Sequence, residues 1–358
     1  MNDSINVKLT LEDGTVYHGK SFGASVAAAG EVVFNTAMTG YPESLTDPSY
    51  RGQLLCLTYP LVGNYGAPGK NEENDLYKFY ESSSIHISAL IVSDYSFDYS
   101  HWNASESLDE WLRRNKIPGI YGIDTRALTK RIREKGAMLG KLEPDGETIE
   151  FYDPNKINLV AEVSTHKKKI YGNGKYRIML VDCGVKYNII RNLLKRDTTI
   201  IRVPWDYDYH KEEFDGLFLS NGPGDPKMCT VTIENIRWSF EKDTPVFGIC
   251  LGNQLMALAS GADTYKLKYG HRSHNQPVLQ VGTSKAYITS QNHGFAVDNK
   301  TLAKEWDPLF ININDGTNEG MKHKSKPFFS TQFHPEASGG PTDTDYLFDE
   351  FIENIRRR

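Results

Sequence analysis

The 358-residue sequence predicts an α/β protein, with a C-terminal doubly wound, mostly parallel sheet preceded by a β-rich α/β N-terminal domain. Three observations carry that expectation. From Tyr176 onward, apolar β-type runs alternate with helix-spaced segments. In the first 150 residues, short β-type runs are separated by Gly, Pro and Asp turns. Between them, residues 151–175 are polar and weakly patterned, with Lys167-Lys168-Lys169 and Gly172-Asn173-Gly174. The expected division is a domain over 1–150, a linker over 151–175 and a second domain over 176–358.

In chain order, Val7–Leu11 alternates, Glu12-Asp13-Gly14 turns, and Thr15–Gly19 returns as the second arm of a hairpin. Glu31–Asn35 is the next strand, and 38–50 reads as a loop. Leu54–Tyr59 and Ile85–Val92 have the composition of buried strands. Asp124 is placed to cap a helix through Leu128 and Ile132 that Gly136 ends. In the second half, strands are expected at 177–181, 199–203 and 216–219, and helices at 187–194 and 233–240. The apolar Pro245-Val246-Phe247 then leads into Gly248-Ile249-Cys250-Leu251-Gly252 and the helix-like 254–259.

Composition bounds the function. With 39% hydrophobic and 24% charged residues, each half has enough apolar material for a core. A net charge of -5, from 41 basic and 46 acidic residues, offers no footprint for nucleic acid or an anionic membrane. The basic cluster Arg356-Arg357-Arg358 reads as a solvated helix end. The four cysteines at 56, 183, 229 and 250 form no C-x-x-C, which speaks against a zinc knuckle or a thioredoxin-like pair, and they are too few in so long a chain for a disulfide framework. Met1-Asn2-Asp3-Ser4 lacks the basic and apolar regions of a secretory signal, and no run has the length of a membrane span. A reducing cytosol is the expected compartment.

The chemistry centres on Cys250. A G-x-C-x-G between strand and helix has the form of a nucleophile elbow with Cys in the place of Ser. Small neighbours permit the sharp turn, and the N-terminus of the following helix favours a thiolate. Two more segments end strands of the expected parallel sheet, where ligands bind in such folds. Ser220-Asn221-Gly222-Pro223-Gly224-Asp225-Pro226 follows Leu219, and its glycines let backbone N–H groups approach an oxyanion. Phe333-His334-Pro335-Glu336 supplies an imidazole to take the thiol proton and a carboxylate to orient that imidazole. Cys56 and Cys229 read as core residues. Cys183 ends a strand but lacks the second half of an elbow. His271, His274 and His293 fit no familiar metal spacing and are expected as solvent-facing loop residues. His293 is disfavoured as a second base.

These motifs carry a resemblance. Gly248–Gly252 with Gln254 and a distal His334-Pro335-Glu336 resembles the triad-type, class I glutamine amidotransferases. Phe218–Pro226 and Ser290–Val297 narrow it to the small, glutamine-hydrolysing subunit or domain of carbamoyl phosphate synthetase. Leu11–Gly14, Gly30–Thr36, Leu45–Tyr50 and Asp124–Thr129 are similar to the N-terminal domain of that subunit, so nearly the whole chain is covered. The resemblance implies Cys250 as nucleophile, His334 and Glu336 as the rest of the triad, and a thioester intermediate. It implies Ser49, Gly222, Gly224, Leu251, Gln254, Asn292, Gly294 and Phe295 as glutamine-binding positions, with Ser49 contributed by the N-terminal half. No cofactor is implied in this chain. ATP and a divalent metal are expected only in a synthetase partner, a large subunit or a fused domain, that makes carbamoyl phosphate from bicarbonate. That product serves pyrimidine or arginine synthesis. No P-loop or ATP-grasp-like segment is found here. Asn253 departs from the family, which usually has His there. Two other readings compete: a cysteine hydrolase of another amide, for which Ser49 is dispensable, and a regulatory or assembly subunit with a vestigial site.

Overall fold

The computed structural model describes residues 5–358, which divide into two compact units, 5–156 and 157–358. In the first unit seven strands close into a barrel. Their order is Asn6–Leu11, Met138–Pro144, Ala28–Asn35, Gln53–Leu57, Ala89–Ile91, Pro118–Tyr121 and Val16–Gly23, the last returning to the first. The expected hairpin forms with Thr10 opposite Val16, and its alternation sends Val7, Leu9 and Leu11 inward. Asp124 caps the helix Thr125–Lys135 by accepting the Ala127 N–H at 2.8 Å, and Gly136 leaves it at φ 108°. The segment 38–50 is less irregular than expected. It holds a short helix, Tyr41–Thr46, with Pro42 in its first turn. A 3-10 turn at Pro48–Tyr50 follows, with the Asp47 carboxylate accepting the Ser49 N–H at 2.9 Å. Both are too short to show a period in sequence.

The second unit is built on ten strands. Five run parallel in the order Thr198–Pro204, Tyr176–Asp182, Gly216–Leu219, Val246–Ile249 and Phe328–Thr331. Antiparallel strands extend the sheet beyond Phe328–Thr331: Asn318–His323, Trp306–Asn312, Thr264–Gln280 and Ala286–Val297. The parallel core is covered on both faces, as its continuous apolar runs require. Leu217, Leu219 and Val246 pack with Ile233 and Ile236 of the helix Thr230–Glu241 and with Leu255 and Met256 of Leu251–Ala259. The neighbouring Phe218 and Phe247 point the other way, against Phe348 and Phe351 of the helix Tyr346–Arg356. Phe329 stacks on Phe247 at 4.4 Å.

The stretch 151–175 corrects the sequence reading, because most of it is not a linker. Asn158 caps a helix, Leu159–Val163, whose Leu159 and Val160 are buried. Lys169–Tyr171 adds an antiparallel edge strand beside Thr198–Pro204. Three residues on an edge, one of them Lys, carry too little alternation to be seen in sequence. Among the described residues no helix is long and apolar enough to cross a membrane.

Candidate active site

The parallel register brings the C-terminal ends of four adjacent strands to one edge of the sheet, and the predicted segments leave from there. Cys250 stands between the strand Val246–Ile249 and the helix Leu251–Ala259 at φ 55° and ψ -102°. A side chain at positive φ costs about 1–3 kcal/mol and persists only where its surroundings hold it. The Cys250 N–H is anchored on the Thr331 carbonyl at 2.8 Å, and the Gln254 N–H closes the first helical turn on the Cys250 carbonyl at 3.3 Å. The two flanking glycines are steric necessities. A Cβ on Gly252 would lie 2.4 Å from the Leu219 carbonyl oxygen, and one on Gly248 would lie 2.7 Å from the Gly252 backbone. Gly252→Ala is therefore expected to destabilise the unit by about 1–3 kcal/mol, since a backbone carbonyl cannot rotate aside. Chemical denaturation reads this directly, and an unchanged midpoint would refute the steric account.

His334 and Glu336, the expected triad partners, follow the strand Phe328–Thr331. His334 is tied down through its N–H to the Ser290 carbonyl at 2.9 Å. Its Nδ1 meets Glu336 Oε1 at 2.7 Å, with both side chains buried. Burial opposes a charge on His334, but attraction to Glu336 overcomes it, and with the interaction from Cys250 the imidazole is pushed up to about 10. Glu336 is buried too, yet Lys186 and His334 hold it down at about 2. Since Nδ1 is occupied, the interaction with Cys250 falls to Nε2, which is buried and makes no aligned hydrogen bond. The Cys250 thiol donates to the Asn292 carbonyl at 3.7 Å. Three charged groups, His334, Glu336 and Lys186, thus share a buried site.

Lys186 is the member that sequence reasoning missed. Its Nζ lies 3.0 Å from Glu336 Oε1, and its side chain is 9% exposed. It stands at the N-cap of the helix Tyr187–Leu194 with no capping hydrogen bond from its side chain. A cation there opposes the helix dipole, and that mismatch was the available signal. Hydrogen bonds tie its turn to the glycine loop. The Lys186 N–H donates to Asn221 Oδ1 at 3.1 Å, and the Cys183 N–H donates to Ser220 Oγ at 2.9 Å. The Gly184 and Val185 N–H groups fold onto Asp182, whose carboxylate is held by Arg202 at 2.6 Å. Gly222 packs so closely on this turn that a Cβ would lie 2.0 Å from the Cys183 carbonyl oxygen and 2.8 Å from Leu251 Cδ2. Gly224 adopts φ 83°. Burial pushes the Cys183 thiol well up, so it is no nucleophile.

Gln254, one turn after Cys250, donates through Nε2 to the Phe295 carbonyl at 2.9 Å. Gln254 and Phe295 are thus brought together, while Asn292 meets Cys250. Gly294 lies between Asn292 and Phe295 beside Arg272. Ser49 lies in the first unit, in the turn already described.

The histidines correct the sequence reading. His271 and His293 are buried and face each other across the strands Thr264–Gln280 and Ala286–Val297, and His274 is half-buried, so none is a solvent-facing loop residue. With Glu319, the first two bring possible ligand atoms within 4.8 Å of one another. Every one of their ring nitrogens already has a partner. His271 bridges Glu319 at 3.3 Å and Asp315 at 2.9 Å, and His293 contacts the Phe295 carbonyl at 2.8 Å and Gln291 at 3.2 Å. Burial opposes protonation of His271, but the two carboxylates raise it to about 9, whereas burial keeps His293 neutral. The arrangement is that of a hydrogen-bonded ion cluster.

Comparison with known proteins agrees with this geometry. Residues 179–354 match the glutamine amidotransferase class-I family, and residues 9–142 match the CPSase domain of the carbamoyl-phosphate synthase small chain. The carbamoyl phosphate synthase arginine-specific small chain of Saccharomyces cerevisiae is 50% identical, over 97% of this chain and 88% of its own length. The multifunctional protein pyr-3 of Neurospora crassa is 50% identical over 98% of this chain, which spans 21% of that protein. The human mitochondrial carbamoyl-phosphate synthase [ammonia] is 52% identical over 98% of this chain, which spans 24% of it. With half of its residues identical to the yeast small chain over nearly the whole length of both, the chain belongs to the carbamoyl-phosphate synthase small chain family.

Proposed function

We propose that this chain hydrolyses L-glutamine to glutamate and ammonia and supplies the ammonia to a carbamoyl phosphate synthetase partner that uses bicarbonate and ATP. The observation that carries it is the Cys250 elbow beside a buried His334–Glu336 pair. The Cys250 sulfur attacks the side-chain amide carbon, and the carbonyl electrons move onto oxygen. Backbone N–H groups of Leu251 and the Gly222 loop stabilise that oxyanion. The carbon–nitrogen bond breaks as His334 gives its proton to the leaving ammonia, which leaves a thioester. Water then attacks the thioester, His334 takes its proton, and the carbon–sulfur bond breaks to release glutamate. Glu336 keeps the imidazole oriented and stabilises its charge. None of these steps uses a metal or cofactor. Gly224, Asn292, Gly294 and Phe295 bind the substrate. The reaction is tested by following glutamate release from glutamine, and then carbamoyl phosphate formation with a synthetase partner supplied with glutamine or with ammonia. Release of glutamate together with glutamine-dependent synthesis is expected. Synthesis from ammonia alone, with no glutamate released, would overturn the assignment.

A further inference from the structure

The buried histidines belong to a cluster whose lone pairs converge. Strand alternation puts Gln291 and His293 on one face of Ala286–Val297, and the antiparallel register sets His271 directly opposite His293. Glu319 comes from the strand Asn318–His323. All four are buried, His271 at 9% exposure, His293 at 4%, Gln291 at 1% and Glu319 at 0%. Their protons can be assigned from fixed neighbours. His293 Nδ1 faces the Phe295 carbonyl at 2.8 Å, so it carries the ring proton and Nε2 keeps a lone pair. His271 Nε2 donates to Asp315 Oδ2 at 2.9 Å, so the lone pair of the neutral ring is on Nδ1. The Thr289 hydroxyl donates to the Gln276 carbonyl at 2.9 Å, and its oxygen accepts from Gln291 Nε2 at 3.2 Å, which turns Gln291 Oε1 into the cluster. The His293 lone pair therefore faces two more acceptors, Gln291 Oε1 at 3.2 Å and Glu319 Oε1 at 3.9 Å. His271 Nδ1 lies 3.0 Å from the same Gln291 oxygen and 3.3 Å from the same Glu319 oxygen. A proton on His271 Nδ1 serves those two oxygens but not the His293 lone pair. Asn312 Nδ2 donates to Glu319 Oε1 at 3.2 Å and lies 3.5 Å from His271 Nδ1. Glu319 Oε2 is buried and makes no hydrogen bond among the described residues.

We propose that His271, His293, Glu319 and Gln291 form a binding site for a divalent transition-metal ion, with Zn2+ as the best fit. An ion with four bonds of about 2.0–2.1 Å sets its ligands about 3.3–3.4 Å apart, and the spacings of 3.0, 3.2, 3.3 and 3.9 Å bracket that value. A small inward shift of the His293 ring closes the widest of them. Two imidazoles favour a zinc-like ion over Mg2+ or Ca2+, which take oxygen ligands. The surroundings hold the rings as ligand imidazoles are held: Asp315 and the Phe295 carbonyl accept the outer N–H of each. In the metal-free protein a proton on His271 stands where the ion would be, and the ion displaces it. The bound ion joins three strands behind the substrate segment, because Gln291 and His293 flank Asn292, whose carbonyl meets the Cys250 thiol. It takes no part in the steps at Cys250.

The test is made in an untagged Cys250→Ala chain, so that the thiol beside His334 cannot supply a competing metal site. The chain is stripped with a chelator and titrated with Zn2+ and, separately, with Co2+. One Zn2+ per chain is expected by elemental analysis after gel filtration, together with an unfolding temperature that rises with Zn2+. Bound Co2+ should show the intense visible absorption of a tetrahedral ion, with no thiolate charge-transfer band in the near ultraviolet. Glu319→Gln in the same background removes the anionic ligand and keeps its shape, and its new NH2 can donate to the His293 lone pair. It should bind Zn2+ at least about a hundredfold more weakly, and Asp315→Asn about tenfold more weakly. The Asp315 side chain is 42% exposed, so that variant carries the test if Glu319→Gln does not fold. Failure of the stripped chain to retain Zn2+ overturns the proposal. So does a Co2+ spectrum of six-coordinate, weakly absorbing type, or a Zn2+ affinity that neither substitution changes in a folded chain.

Discussion

Cys250→Ala is expected to reduce glutamate release by at least about a thousandfold, because no other nucleophile stands in the elbow. Cys183 cannot substitute, since its thiol is buried and held neutral. The fold should survive. Cys250 is 2% exposed and small, and replacing sulfur by hydrogen costs about 1 kcal/mol. A companion variant separates chemistry from backbone strain. At φ 55° the Cys250 Cβ is strained, and alanine keeps that strain whereas glycine removes it. Cys250→Gly should thus be as inactive as Cys250→Ala but more stable by about 1 kcal/mol in urea unfolding. With a synthetase partner, both variants should lose glutamine-dependent synthesis and keep ammonia-dependent synthesis. Loss of both activities in a folded complex would sink the division of labour between nucleophile and synthetase. Equal glutamate release by wild type and alanine variant would sink Cys250 itself.

The elbow was legible in sequence because its constraints are local. Gly248 and Gly252 must be small for reasons that lie within one turn and the adjoining strand, and His334 and Glu336 sit two residues apart. The parallel core was legible for a similar reason, since strands covered on both faces are continuously apolar. What escaped depends on distant partners. Lys186 meets Glu336 across 150 residues, and nothing near it in sequence names that partner. His271 and Glu319 meet only because the antiparallel strands after residue 263 fold beside one another. Those strands were not anticipated. Thr264–Gln280 carries Lys, His, Arg and Gln on a partly exposed extension, so its composition does not look like a strand. The short helical turns at 41–50 and the edge strand at 169–171 were missed because they are shorter than the period that would reveal them.

Glu336→Gln is expected to cost more than either charge it serves would suggest. The carboxylate faces His334 at 2.7 Å and Lys186 at 3.0 Å, and all three groups are buried. Removing it leaves a buried lysine ammonium without that counter-charge, at a cost of up to about 3–5 kcal/mol in unfolding free energy. The imidazolium is also destabilised, so kcat should fall by about a hundredfold or more as the proton for the leaving ammonia is held less well. The pH dependence has a definite sign. Glu336 is held at about 2, below its ordinary 4.5, so its contribution is present above pH 4.5 and is lost as pH falls toward 2. His334 is raised from 6.5 to about 10, so its contribution is full below pH 6.5 and is lost as pH rises through 10. The stability gap between wild type and Glu336→Gln should therefore be widest between about pH 4.5 and 6.5 and narrow on both sides. Adding Lys186→Met should recover part of the lost stability by removing the charge that Glu336 had balanced, without restoring activity. Additive losses in the double variant, or a gap that does not change with pH, would show that the three groups do not form one electrostatic unit. Restored activity in the double variant would show that Glu336 acts on Lys186 rather than on His334.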